Sequence, residues 1–310
     1  MADVIITEFM DEAAVERIRA RYETIYDPKL VDAGQELLKR LPQARALIVR
    51  NRTAVRGELL AAAGRLECVG RLGVGLDNID VDACRARGIA VYPATGANDL
   101  SVAEYVMTAA LLLLRGAYGA TAVVAAGEWP RQRLIGREVS GRVMGLVGYG
   151  AIAREVARRA AAFGMEVMAF DPFLPAGDAR WAGARSVAFD ELLEASHVIS
   201  LHVPLSEGTR HMIDAGAISK MRRDAILINA ARGGVVDEQA LAAALRAGRL
   251  GGAALDVFEV EPLTADAGAA FSGIDNLILT PHIAGVTEES NVRVSNLIAE
   301  TVLHHLDGMA

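Results

Sequence analysis

Seven short apolar runs follow one another in the second half of the chain: RVMGLVG (142–148), MEVMAFD (165–171), RSVAF (185–189), HVISLHV (197–203), AILINAA (225–231), LGGAALDVF (250–258) and NLILTPH (276–282). Each has the length of a strand, and helical-looking segments separate them. Runs that are apolar throughout need cover on both faces, and strands joined through helices run parallel. A weaker series comes first: DVIITEF (3–9), ALIVR (46–50), LECVGR (66–71) and IAVYPA (89–94). Between the two series, SVAEYVMTAALLLLRGA (101–117) reads as one long helix with few polar positions, expected to lie buried between two bodies. EESNVRVSNLIAETVLHHL (288–306) reads as a terminal amphipathic helix. With 310 residues, 52% of them hydrophobic, the chain can bury two cores. The expected fold class is α/β: two Rossmann-like, doubly wound parallel-sheet domains.

Charge and cysteine usage narrow the function. A net charge of −7 leaves no electrostatic footprint for nucleic acid or for an anionic membrane. The longest apolar run, VMTAALLLL (106–114), is far below the roughly 20 residues needed to span a bilayer. Cys68 and Cys84 have neither metal-ligand spacing nor the look of a disulfide framework, so no metal is expected. The start, MADVIITEFMDE, has no basic region ahead of an apolar one. The expectation is a cytoplasmic protein.

The most informative segment is GRVMGLVGYGAIAREVARRAAAFGMEVMAFDP (141–172). A strand runs into Gly148-Tyr149-Gly150-Ala151-Ile152-Ala153, and a helix follows. Gly148 would make the tight turn. Gly150 would let the backbone approach a pyrophosphate, with Ala151 and Ile152 opening the helix whose dipole favours it. Ala153 stands for the third glycine where helix meets strand. Asp171 closes the next strand, 23 positions after Gly148. A carboxylate there accepts from the adenosine ribose hydroxyls and repels a 2′-phosphate. No Arg or Lys follows directly, so NAD is expected rather than NADP.

LILTPHIAG (277–285) raises a separate question. His282 alone could be a core histidine or an acid/base. Its neighbours in the chain bear on the answer. INAARGGVVDEQAL (228–241), GGAALDVFEVEP (251–262) and LTPHIAG (279–285) resemble, in order, the arginine, glutamate and histidine motifs of the D-isomer-specific 2-hydroxyacid dehydrogenases. VGRLGVGLDNIDV (69–81) and GANDLSVAEYV (96–106) also resemble family segments, so the likeness covers nearly the whole chain. It is closest to the 3-phosphoglycerate and sulfolactate dehydrogenase type. The resemblance implies that Arg232, Glu261 and His282 are catalytic. A guanidinium fork suits the carboxylate and carbonyl of a 2-oxo acid. Glu261 would hold one imidazole nitrogen and stabilise the imidazolium, and His282 would exchange the proton of the substrate hydroxyl. Near the cofactor the resemblance puts Asp256, on the nicotinamide carboxamide or as a plain strand-end cap. It also puts His202, Pro204, Ala230 and His282 there.

The resemblance further implies that the terminal helix returns to the first domain. The domains are then 1–97 with 286–310 for substrate and 98–285 for NAD, with the active-site cleft between them and hinges near Asn98 and Val286. Val74 and Gly75, in Gly73-Val74-Gly75, resemble the loop whose N–H groups hold the substrate carboxylate. In VRNRT (49–53), Arg50 and Arg52 would point the same way if the strand persisted, and could grip a phosphate or sulfonate. The substrate would then be a doubly anionic three-carbon 2-hydroxy acid. A hydroxypyruvate or glyoxylate reductase, or a non-catalytic NAD-sensing protein on the same scaffold, are the alternatives. A homodimer built through the cofactor domains is expected, with Arg131 and Arg133 approaching the partner.

Overall fold

In the first part of the chain the strands are β1 (Val4–Ile6), β2 (Thr24–Tyr26), β3 (Ala46–Val49), β4 (Cys68–Arg71) and β5 (Ala90–Pro93). They form one parallel sheet of order β2-β1-β3-β4-β5. Side chains alternate between its faces. Val4, Ile6, Ala46, Ile48 and Cys68 pack under the terminal helix Glu288–Leu306, against its Val294, Ile298, Ala299 and Val302. Ile5, Leu47, Val49 and Val69 pack on the opposite side with Leu37, Leu41, Leu60 and Cys84. A β-carbon on Gly70 would stand 2.7 Å from Ile298 Cγ2, so the terminal helix rides directly on β4.

The second sheet contains β6 (Val143–Val147), β7 (Glu166–Phe170), β8 (Arg185–Ser186), β9 (Val198–Leu201), β10 (Ile226–Asn229), β11 (Gly252–Leu255) and β12 (Leu277–Leu279). Its order is β12-β11-β10-β9-β6-β7-β8, and all pairs are parallel. The strand order reverses between β6 and β9, which opens a crevice at the carboxyl ends of the strands. The helix Asp99–Arg115 lies on one face. Its Val102, Val106, Met107 and Ala110 pack with Met144, Leu146, Ile226 and Ile228 and with the helix Ala151–Ala162. The computed structural model describes residues 2–308 and divides into two compact units, Met1–Asn98 with Val286–Ala310, and Asp99–Gly285.

One strand goes unread in the sequence, and one expected strand shortens. The three residues of β2, Thr24, Ile25 and Tyr26, are half-buried at a sheet edge and leave no apolar run to read. RSVAF keeps only Arg185–Ser186 as strand, because Phe189 begins the helix Phe189–Ala195. Asp190 and Glu191 sit in that helix's first turn, where its dipole favours acids. The buried face of Asp99–Arg115 belongs to the core of the second unit, while Glu104 and Thr108 are exposed. No single helix among the described residues is long and apolar enough to cross a membrane.

Candidate functional site

Because all seven strands of the second sheet are parallel, the loops that leave them gather at one edge. The glycine loop follows β6, Asp171 follows β7, His202 follows β9, Arg232 follows β10, Asp256 and Glu261 follow β11, and His282 follows β12.

Gly148 has φ +86°, and its N–H donates to the Phe170 carbonyl at 2.8 Å. A β-carbon there would come within 2.6 Å of the His202 carbonyl oxygen. Both the turn and the approach therefore require glycine. Gly150 begins the helix Ala151–Ala162 without a side-chain cap, so the N–H groups of Ala151 and Ile152 face an open end. No atom lies within 4 Å of the β-carbon position at Gly150. This open cradle on a helix N-terminus fits a diphosphate. Ala153 is fully buried in the core beneath. The Asp171 carboxylate accepts from Tyr149 N–H and from Phe173 N–H, each at 2.9 Å, so it also shapes the glycine loop. Each oxygen keeps a second lone pair for a ribose hydroxyl. His202 Nε2 is buried without a hydrogen-bond partner, and burial pushes the imidazole down to about 4. A neutral ring with an unmet polar atom beside the glycine loop is a second feature that a bound dinucleotide suits. Pro204 is exposed two residues on.

At the end of β10, Asn229 is buried and turns the chain. Its Oδ1 accepts from Ala231 N–H at 3.1 Å, and its Nδ2 donates to the Arg232 carbonyl at 2.9 Å. Ala230 is half-buried within this turn. A β-carbon on Gly233 would lie 1.7 Å from the Phe258 carbonyl oxygen. The arginine loop thus rests directly on the loop that carries Glu261. Glu261 Oε1 accepts from Phe258 N–H at 3.0 Å, and its Oε2 is 2.7 Å from His282 Nδ1. Burial by itself raises the Glu261 carboxyl, but these two bonds and the charges of His282 and Arg232 bring it below its ordinary value. An ionised carboxylate only accepts, so Nδ1 carries the hydrogen and Nε2 is left for chemistry. The His282 side chain is 42% exposed. A half-open imidazole, oriented by a carboxylate that also feels the charge of Arg232, can move a proton at a carbonyl or hydroxyl oxygen.

His282 has φ +54°, and its N–H donates to the Asp256 carbonyl at 2.8 Å. The Asp256 carboxylate accepts from Ile283 N–H and Ala284 N–H, each at 2.8 Å, and from the Thr280 hydroxyl at 2.5 Å. These bonds make Asp256 a strand-end cap. One acceptor position remains on Oδ2. Thr280 and Gly233 each act on a loop attached to a different strand, a contact that no local pattern records, whereas Asn229 shapes the loop of its own strand.

The expected substrate residues lie in the first unit. β3 ends at Val49, so Arg50 and Arg52 do not sit on a continuing strand and do not point the same way. The chain turns there because the buried carboxylate of Glu8 accepts from the N–H groups of Arg50, Asn51, Arg52 and Thr53, at 2.8 to 3.2 Å. The Arg50 guanidinium is half-buried, 2.8 Å from Asn291 Oδ1 and over the Phe9 ring. Arg52 is exposed and ion-paired to Asp32. The pair is therefore split between two partners. Gly73 donates to the Arg71 carbonyl, whereas the N–H groups of Val74 and Gly75 have no acceptor among the described residues.

Comparison with known proteins fits this geometry. Residues 107–284 match the model of the D-isomer specific 2-hydroxyacid dehydrogenase NAD-binding domain. The chain is 58% identical over 303 residues to the (S)-sulfolactate dehydrogenase of Chromohalobacter salexigens, covering 97% of each. It is 39% identical over 306 residues to the D-3-phosphoglycerate dehydrogenase of Archaeoglobus fulgidus, covering 99% of this chain and 58% of that one. A solved D-lactate dehydrogenase from Aquifex aeolicus, complexed with NAD and lactic acid, superposes with a TM-score of 0.85 at 30% identity, covering 99% of this chain and 96% of that one. The chain belongs to the D-isomer-specific 2-hydroxyacid dehydrogenases and is an NAD-dependent oxidoreductase acting on a 2-hydroxy acid.

Proposed function

We propose that this enzyme interconverts 3-sulfolactate and 3-sulfopyruvate. The observation that carries the substrate is the 58% identity, spread over 97% of both chains, with a sulfolactate dehydrogenase. The S label of that relative's substrate agrees with a D-specific family. A carbon bearing sulfur outranks a carboxyl carbon in naming priority, so the D arrangement that is R in lactate becomes S in sulfolactate.

The site geometry supports the following residue roles. Arg232 holds the substrate carboxylate and polarises its carbonyl. Neutral His282 takes the hydroxyl proton at Nε2 in oxidation, and its imidazolium returns that proton in reduction. Glu261 keeps Nδ1–H in place and stabilises the positive ring. Bound NAD supplies the hydride acceptor for C2. Asp171 selects NAD over NADP by repelling a 2′-phosphate. Arg50 is the better sulfonate ligand of the two arginines, because it faces a neutral amide whereas Arg52 is already neutralised by Asp32. Val74 and Gly75 offer two N–H groups to the carboxylate. Glyoxylate has a single anion and would leave Arg50 without one. The protein is a cytoplasmic homodimer in this reading. Tyr118, Trp129 and Ile135 are 68%, 75% and 74% exposed, large apolar side chains that a second copy could cover.

The test follows NADH consumption with sulfopyruvate, phosphohydroxypyruvate, hydroxypyruvate and glyoxylate. Sulfopyruvate should have the highest kcat/KM. Preference for phosphohydroxypyruvate would change the second anion, and preference for either of the other two would discard it.

A further inference from the structure

We infer that Tyr105 and Thr280 are positioning residues, forming a hydroxyl chain that holds the acid/base histidine in place through Asp256. The inference rests on the role proposed above for His282. The Tyr105 hydroxyl is 2.6 Å from Thr280 Oγ1, and Thr280 Oγ1 is 2.5 Å from Asp256 Oδ1. A carboxylate can only accept, so the Thr280 hydrogen goes to Asp256. The Tyr105 hydrogen must then go to Thr280. Burial pushes the Tyr105 phenol up, which keeps it a donor. The chain thus has one direction, from the helix Asp99–Arg115 to the end of β11.

Asp256 is 1% exposed and receives every strand of this clasp. Its side chain takes Thr280, two residues before the histidine, and Ile283 and Ala284, the two residues after it. Its carbonyl takes His282 N–H itself. The clasp is needed because His282 has φ +54°, a left-handed conformation that is strained for a residue other than glycine. A loop held on both sides of that residue cannot relax to the ordinary region. The 2.7 Å contact between Nδ1 and Glu261 depends on that orientation. Register explains how the parts meet: Leu255 pairs with Leu279 on the neighbouring strands, so Asp256 and Thr280 are the next residues on each.

Thr280→Val removes the hydroxyl while keeping the shape, Thr280→Ser restores it, and Tyr105→Phe removes only the outer link. With the 2-oxo acid that the unaltered enzyme reduces best, Thr280→Val should lower kcat roughly 10- to 100-fold, as a small misplacement of a reacting group does. KM and NADH affinity should stay within about 2-fold, Thr280→Ser should recover most of kcat, and Tyr105→Phe should lose less than Thr280→Val. A second readout needs no substrate. The nitrogen-15 shifts of the His282 ring, assigned by their loss in His282→Gln, report which nitrogen is protonated. The unaltered protein and Thr280→Ser should show Nδ1–H in the neutral ring, and Thr280→Val should show a mixture. Unchanged turnover and an unchanged ring signature in Thr280→Val would overturn the inference, as would a loss that Thr280→Ser does not repair. If the unaltered enzyme reduces none of the acids, the proposed substrate fails while the ring signature still decides the clasp.

Discussion

At the residue scale, the site depends on which groups can only accept. Glu261 and Asp256 each impose a direction on their donors, one on the imidazole and the other on the loop that carries it. His282→Ala should reduce turnover about 10²–10⁴-fold with NADH binding nearly intact, measured by steady-state kinetics and by fluorescence titration. Asp171→Ala should narrow the discrimination between NADH and NADPH, read as the ratio of kcat/KM values; an unchanged ratio would remove Asp171 from cofactor choice. Glu8 makes a different prediction. Burial raises its carboxyl, but the N–H bonds from Thr53, Arg50 and Arg52 outweigh that and leave it below its ordinary value. A depressed carboxyl stabilises the fold above the unfolded-state value, and that stability is lost as pH falls through the folded value. Glu8→Gln should therefore melt lower than the unaltered protein at pH 7, with the gap closing in acid. All of these residues except Glu8 are legible in the sequence. Glu261 and His282 stand in recognisable motifs, but Glu8 looked like part of a strand end, since its four donors lie more than 40 residues away.

At the element scale, the strand–turn–helix around Gly148 was readable because its spacing is local. The contact between the loops after β10 and β11 was not. Gly233 is the point at which those loops touch, and its neighbour Gly234 gave no hint of which glycine mattered. Gly233→Ala would drive a β-carbon into the Phe258 carbonyl. The expected result is a larger fall in kcat/KM for the 2-oxo acid than in NADH affinity, because Arg232 and Glu261 move while the glycine loop does not. An equal fall in both would mean that the whole sheet edge had shifted. The shared direction expected of Arg50 and Arg52 needs β3 to continue past Val49, and the buried Glu8 carboxylate, just beyond β1, turns the chain there instead.

At the scale of the whole molecule, the alternation of runs and helices predicted two parallel sheets but not the order of the strands within them. Order depends on how crossovers wind, which no local pattern records. Assembly belongs to this scale too. If the exposed surface around Trp129 is where two copies meet, Trp129→Glu should shift the protein from dimer to monomer in sedimentation velocity. A monomer in the unaltered protein would end that proposal.

The terminal helix Glu288–Leu306 gives the first unit a history as well as a shape. A ribosome completes the whole of Asp99–Gly285 before it makes a single residue of that helix. Until then that face of the sheet, with Val4, Ile6, Ile48 and Gly70, is covered only in part, by Ala14, Val15 and Ile18 of the helix Glu12–Arg19. The unit begun before Asp99–Gly285 is thus finished only after it, and in the interval it is a surface that chaperones could bind.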